Sequence, residues 1–245
     1  MCFNISINKL KDYLETRFNA KFVEPDLFKP IYHVSAFSKP LFPIITNESP
    51  QQIQFFQWGL IPFWVKDENA ANNIRLKTFN AKAETIHEKP SFKSSIKNKR
   101  CLVLVDGFYE WQEVKGNKFP YYIRLINTEA FALAGIWDTW VNQETGELKN
   151  TFSIITTRAN PLLAKIHNTK KRMPVILKPD DEQRWLNCKL DITEIDSMLA
   201  SYDETSLEAY TVSKLISTKG RDTNVPEVME KFKYSELKLE QTQLF

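Results

Sequence analysis

The second residue carries the first chemical signal. Removal of Met1 makes Cys2 the amino terminus, with an α-amine and a thiol on adjacent carbons. An α-amine titrates at about 7.7–8.0, so a useful fraction is neutral near pH 7. Such an amine attacks an aldehyde to give an imine, and the neighbouring thiol then closes a five-membered thiazolidine. Each step needs an acid or base at hand to move protons. By itself a cysteine at position 2 also fits an incidental residue. Other chemistries lack their residues. The three histidines, His33, His87 and His167, form no HExxH and no tight cluster with cysteine, so no metal site is expected. There is no GxGxxG and no GxxxxGK[ST], so no dinucleotide, nucleotide or other cofactor is expected.

The elements that must position this nucleophile are mostly strands. Leu10, Tyr13, Leu14 and Phe18 recur at helical spacing and predict a helix over residues 7–18. Strands are expected at 53–58, 101–105, 108–114, 120–126, 131–137, 151–157, 173–177 and 207–212, with turn residues at 115–118 and 142–146. Short helices are expected at 160–166, 180–186 and 192–199, and the polar stretch 66–100 reads as loops with short helices. Close strand spacing with few crossover helices predicts an antiparallel system. The fold class is therefore α+β: one domain of bent, barrel-like antiparallel sheets with peripheral short helices. From Ser217 the chain turns polar, which divides it into a catalytic domain over 1–216 and a flexible tail over 217–245.

The chain has 245 residues, 42% hydrophobic and 26% charged, enough for a real core. Three cysteines without a CxxC pair exclude a zinc ribbon and argue against a disulfide framework; Cys101 and Cys188 read as inert packing thiols. No basic region leads into an apolar stretch at the start, and no apolar run approaches the ~18 residues of a membrane span, so a cytoplasmic protein is expected. The net charge of +3 is unevenly spread. Residues 75–100 hold eight basic and two acidic side chains, residues 163–178 five basic and none acidic, and residues 180–245 eight basic against fourteen acidic. A basic middle fits a polyanion-binding face, and equally a set of solvated lysines.

Five segments then stand out in order behind Met1-Cys2: Trp58-Gly59-Leu60-Ile61-Pro62, Phe79-Asn80-Ala81-Lys82-Ala83-Glu84-Thr85, Gly107-Phe108-Tyr109-Glu110-Trp111, Ala134-Gly135-Ile136-Trp137, and His167 through Arg172-Met173-Pro174. Together they resemble the SOS-response-associated peptidase (SRAP) family, whose usual wording is WGLIP, NARAET, GFYEW, AGLW and HxRMP. The resemblance runs from residue 2 to about residue 213. It implies single-stranded DNA binding and cross-linking to abasic sites through the amino-terminal cysteine. It also implies autoproteolytic removal of the residue before Cys2 and an abasic-site lyase side reaction. By match to the motifs, Cys2 is the nucleophile, Asn80 orients it or the sugar, Glu110 shuttles protons, and His167 assists opening of the deoxyribose ring. Trp58 and Trp64 would stack on bases, and Lys82, Lys170, Lys171 and Arg172 would meet phosphates. Residue chemistry alone leaves alternatives. Asn80 suits a turn, His167 suits the C-terminal end of its helix, and Trp58 suits core packing equally well. Glu110, between Tyr109 and Trp111, stands in a pattern too apolar for a casual acid.

Three departures are visible. Phe3 and Asn4 follow Cys2, where the family often has Gly and Arg. Lys82 replaces an Arg and loses its bidentate fork. Four residues, Asn168-Thr169-Lys170-Lys171, separate His167 from Arg172, where the family usually has one. At the end of the chain, Gln241, Leu244 and Phe245 resemble the QxxLF peptide that inserts into the replication sliding clamp. Two other readings remain: a thiol peptidase acting on peptides, and a non-covalent nucleic-acid binder with Cys2 idle. A suicide cross-linker needs no second subunit, so a monomer is expected.

Overall fold

The computed structural model describes residues 2–218 and 220–237. The strands are β1 (Asn4–Ile7), β2 (Lys21–Phe22), β3 (Ile31–Ser35), β4 (Leu41–Thr46), β5 (Gln52–Trp58), β6 (Asn80–Lys82), β7 (Arg100–Val105), β8 (Gly107–Val114), β9 (Asn117–Leu125), β10 (Phe131–Val141), β11 (Leu148–Arg158), β12 (Arg172–Pro174) and β13 (Leu207–Thr211). The helices are short and peripheral: α1 (Lys11–Phe18), α2 (Glu68–Arg75), α3 (Ser95–Asn98), α4 (Pro161–Ile166), α5 (Pro179–Trp185) and α6 (Ile192–Ser197).

Strand β5 explains the barrel. It pairs antiparallel with β4 on one edge and parallel with β11 on the other, at Thr151 and Phe152. Since β4 pairs β7, β7 pairs β10 and β10 pairs β11, the five strands close on themselves. Closure removes the open edges that would otherwise template aggregation. All six residues of β7 are buried, as expected for a strand covered on both faces. The fold is the α+β, barrel-like one expected, with one difference in strand direction. The pairs β5–β11, β6–β11 and β2–β5 are parallel. Strand β11 is eleven residues long, so the edge away from β10 takes β5 and then β6, while β12 pairs on β10's edge beyond the end of that ladder.

A second sheet runs in the order β13-β9-β8-β1-β3. The chain steps from barrel to sheet at one residue, Asp106, between β7 and β8. Its buried carboxylate accepts from Ser6 Oγ at 2.5 Å and from the Asn8 amide at 2.6 Å, which ties β1 to the bend. Only glycine fits next: a Cβ on Gly107 would lie 2.2 Å from the Tyr122 hydroxyl oxygen. The sheet thus sets β1, just after Cys2, against β8, which carries Glu110, with Ile5 opposite Phe108.

Two expectations change. The helix read over 7–18 begins at Lys11, because Ile5 and Ile7 alternate into the core and pair with neighbouring strands. The segment 220–237, expected to be flexible, packs on the second sheet. Val228 is fully buried with Tyr109 and Tyr122, Tyr234 stacks edge-on with Phe119, and the Asn224 side chain accepts from the Tyr32 amide at 2.7 Å. A few well-spaced apolar residues suffice to dock a polar segment. Among the described residues, no helix is long and apolar enough to cross a membrane, and no group of three or more His, Cys, Asp or Glu could hold a metal ion.

Candidate active site

Cys2 sits just before β1 and is fully buried. Its carbonyl accepts from Asn80 Nδ2 at 2.9 Å. Asn80 is held by the parallel ladder that sets it opposite Ile154, so a barrel strand grips the amino-terminal segment. The Asn80 Oδ1 is buried and meets no hydrogen-bond donor among the described residues. Burial and the nearby Glu110 carboxylate push the Cys2 thiol well above its ordinary pKa, so it is a neutral thiol at pH 7.

Glu110 lies on β8, 4% exposed, and burial raises its carboxyl to about 8. At neutral pH it is an acid with a proton to give. His167 is 3.7 Å from it, between Nδ1 and Oε1. The ring stands at the C-terminal end of α4, a helix that Asn160 caps by accepting from the Leu163 amide. His167 Nδ1 is 2.9 Å from the Arg172 carbonyl. A carbonyl only accepts, so Nδ1 carries the proton and Nε2 is left as the basic nitrogen. Burial lowers the ring to about 4, so it is neutral. A neutral ring cannot serve as a charge partner to the helix dipole, which leaves proton transfer as its distinctive capacity.

The four-residue insert does not break this register. The Asn168 side chain donates to the Glu113 carbonyl at 2.7 Å and accepts from the Glu113 amide at 3.0 Å, pinning the insert to β8. Lys171 adopts a left-handed conformation (φ 51°) and donates to the His167 carbonyl, which returns the chain to β12. His167 and Arg172 therefore both reach the site region. Glu110, His167, Phe3, Asn4, Phe37 and Lys170 share one cleft of about 450 Å³.

The remaining expected residues divide. Lys170 lines the cleft, and Lys82 and Lys171 are exposed. Trp64 is 46% exposed on a loop whose Phe63 amide donates to the buried Asp138 carboxylate at 2.9 Å. Trp58 is not available to a base. It is fully buried, donates from Nε1 to the Phe79 carbonyl and stacks on Phe152 with 5.9 Å between centroids. Arg172 is engaged inside the protein, bidentate to Glu84 and bonded to the Thr156 carbonyl at 2.6 Å. It braces the 79–85 segment against β11 and is no open phosphate ligand. Cys101 is buried as expected, whereas Cys188 is exposed. Gln241, Leu244 and Phe245 lie outside the described residues.

Residue patterns alone did not find Phe37, Trp111 or Lys118. Phe37 is 63% exposed, with its ring 5.2 Å from that of Phe3 and 5.4 Å from that of Phe79. Trp111 and Lys118 line the same cleft. A phenylalanine beside polar neighbours, as in Ala36-Phe37-Ser38-Lys39, was the available signal for Phe37. Nothing local marked the rest, because the cleft joins strands far apart in the chain.

Comparison with known proteins identifies the family. The model of the family described as SOS response associated peptidase (SRAP) matches residues 1–219. The abasic site processing protein YoqW of Bacillus subtilis is 38% identical over 94% of this chain and 99% of its own length. The abasic site processing protein HMCES of Gallus gallus is 30% identical over 72% of this chain and 57% of its own length. A crystal structure of a protein from Bacteroides thetaiotaomicron superposes with a TM-score of 0.89 at 40% identity, covering 95% of this chain and all of that one. With Cys2, Asn80, Glu110 and His167 assembled from the family's motifs, and the family model spanning the barrel and its second sheet, this chain belongs to the SOS response associated peptidase family.

Proposed function

We propose that this chain captures abasic sites in single-stranded DNA by a covalent bond to Cys2, formed after Met1 is removed. One observation carries the reading: a cysteine backbone gripped by Asn80 shares a site with a protonated carboxyl and a neutral imidazole. The names of the curated relatives, abasic site processing proteins, point to the same substrate.

The residues suit each step. Hydrolysis of the Met1–Cys2 peptide bond, with one water, frees the α-amine. The neutral His167 Nε2 takes the proton of the sugar C1′ hydroxyl while O4′ gains one, which opens the deoxyribose to its aldehyde. The amine acts first, because the thiol is held neutral. It adds to C1′, and Glu110 donates a proton to the departing hydroxyl, so that water leaves and an imine forms. The thiol sulfur then adds to the imine carbon while its proton passes to the nitrogen. A thiazolidine results, with net loss of one water and no oxidant or reductant. The lyase side reaction branches from the imine. That intermediate acidifies the C2′ hydrogen, and loss of this proton expels the 3′ phosphate.

Trp64 offers a ring to a base, and Lys82, Lys170 and Lys171 offer charge to phosphates. The protein acts as a monomer in the cytoplasm. Residues 217–245 serve as an extension, whose last residues, with Gln241, Leu244 and Phe245, dock on the sliding clamp. A tail-deleted protein should then lose co-purification with the clamp.

The test mixes protein, shown by mass spectrometry to start at Cys2, with single-stranded DNA carrying one abasic site. Denaturing electrophoresis should show a shifted band that an intact strand or Cys2→Ala does not give. No band from the processed wild-type protein overturns the reading. Cleavage of added peptides without DNA would support a peptidase instead.

A further inference from the structure

His33 is buried at 7% exposure, and both of its ring nitrogens are bonded. On β3 it stands beside β1, in the register that sets Val34 opposite Ile5. Its Nε2 lies 2.9 Å from Asn4 Oδ1, and its Nδ1 lies 2.7 Å from Thr223 Oγ1. The ring meets Tyr109 edge-on at 5.4 Å, and the Tyr109 hydroxyl donates to the Tyr32 carbonyl at 2.7 Å. Burial lowers the ring to about 4, so a neutral imidazole carries one N–H. Asn4 Oδ1 can only accept, so that N–H is on Nε2, and Nδ1 accepts from the Thr223 hydroxyl. The chain Thr223–His33–Asn4 has a fixed direction.

Its far end is in the cleft. Asn4 lines it together with Glu110 and His167. With Oδ1 turned to His33, the N–H2 end of the Asn4 amide is the end left for a ligand. The near end is Thr223, held where Asn224 accepts from the Tyr32 amide. Thr223 lies beyond residue 219, where the family match stops.

We propose that His33 is a positioning residue, locked between Thr223 and Asn4, that orients the Asn4 amide as a hydrogen-bond donor to an oxygen of the DNA sugar–phosphate backbone in the cleft. This rests on the function proposed above. The segment 220–224 is then part of the binding site through Thr223. One hydrogen bond contributes about 0.5–1.5 kcal/mol, or roughly 2- to 12-fold in affinity. The effect belongs in binding and not in the chemical step, since Asn4 meets the Cys2 thiol through its backbone carbonyl, 4.0 Å from Sγ, and not through the side-chain amide that His33 orients.

The experiment measures cross-linking rate against concentration of the abasic strand, for protein starting at Cys2. Glutamine places its amide nitrogen where His33 has Nε2, and asparagine places its amide where His33 has Nδ1. His33→Gln keeps the donor to Asn4 but loses the Thr223 bond, so it should raise the half-saturating concentration by about 2-fold, and His33→Asn, which loses the donor to Asn4, should raise it further, up to about 12-fold. The maximal rate should stay within about 2-fold in both. Thr223→Val loses the bond to Nδ1 but keeps the ring's donor to Asn4, so it should act like His33→Gln, and Thr223→Ser should restore wild-type values. In an Asn4→Ala background, His33→Asn should add nothing. Equal values for His33→Gln and His33→Asn, an unchanged half-saturation in Thr223→Val, or a full additional loss in the Asn4→Ala background would overturn the positioning role. A wild-type protein that fails to cross-link in the same assay overturns the underlying function instead, so the two failures are told apart.

Discussion

Arg100 and Glu110 are both buried charged-residue types on consecutive strands, and the fold treats them in opposite ways. Arg100 is fully buried, and its guanidinium is enclosed by carbonyls. Nε donates to Trp185 O at 2.8 Å, one terminal nitrogen to Ile96 O and Lys97 O, and the other to Asn187 O. Those carbonyls end α3 and α5, so one cation closes two helix termini that no glycine caps. Glu110 is as deeply buried but sits at a cleft, and its neutral form is favoured. The difference teaches how to separate frame from chemistry. A buried ion satisfied from all sides is structural, whereas a buried acid kept protonated beside a histidine and a cysteine has the setting that the proposed proton transfer requires. The open groove of about 610 Å³ at the Arg17–Glu182 pair belongs with the first kind, since that pair is bidentate.

The contrast can be broken at either pole. Glu110→Gln keeps shape and loses the transferable proton, so cross-linking should slow by about 10²- to 10⁴-fold with little change in DNA affinity. Its stability should also change with pH in a defined way. The folded carboxyl titrates near 8 and the unfolded one near 4.5, so the folded protein holds the extra proton across that window. Wild-type stability from this group therefore falls as pH rises from about 4.5 to 8. His33 and His167, lowered to about 4, act in the opposite direction, but only up to their ordinary value of 6.5. Urea unfolding at pH 6.5 and 8 isolates the carboxyl: the wild type should lose stability between them, and Glu110→Gln should be flatter. Equal slopes would place Glu110 among the structural ions.

Arg100→Met should show the reverse pattern. Four carbonyls left dry at about 1 kcal/mol or more each give a loss of at least about 4 kcal/mol, so the melting temperature should drop by roughly 8–16 °C or more. The cross-linking rate of the protein that remains folded should be unchanged. A rate loss without a stability loss would erase the distinction. The smallest effect sharpens the same division among the tryptophans. Trp64→Ala should weaken single-strand binding by about 1–3 kcal/mol at unchanged melting temperature. Trp58→Phe should instead lower the melting temperature, since it removes the bond to the Phe79 carbonyl from the core. Fluorescence anisotropy and thermal melts read both.

Much of this was legible in the residues. Alternating or continuous apolar runs marked β5, β7, β8, β10 and β11, because a strand that buries one or both faces must show it in its own residues. Cys2 and the apolar setting of Glu110 were visible for the same reason. Boundary errors fell where partners decide. Residues 4–7 became a strand because β3 and β8 flank them, and β6 was hidden in a polar stretch because its three residues gain their form from β11. The docking of 220–237 depended on Val228 and Tyr234 finding apolar ground elsewhere.

By itself, the sequence determined the set of reactive groups, the family of motifs in their order, and the strand-rich class. Those are properties of residue types and short periods. The tertiary structure alone decided which candidates meet. It buried Trp58, paired Arg172 with Glu84, turned His167 Nδ1 to a carbonyl, and set Phe37 and Asn4 at the cleft. Burial, protonation and hydrogen-bond direction are set by neighbours dozens of residues away, and no local pattern encodes a neighbour that only closure of the barrel brings near.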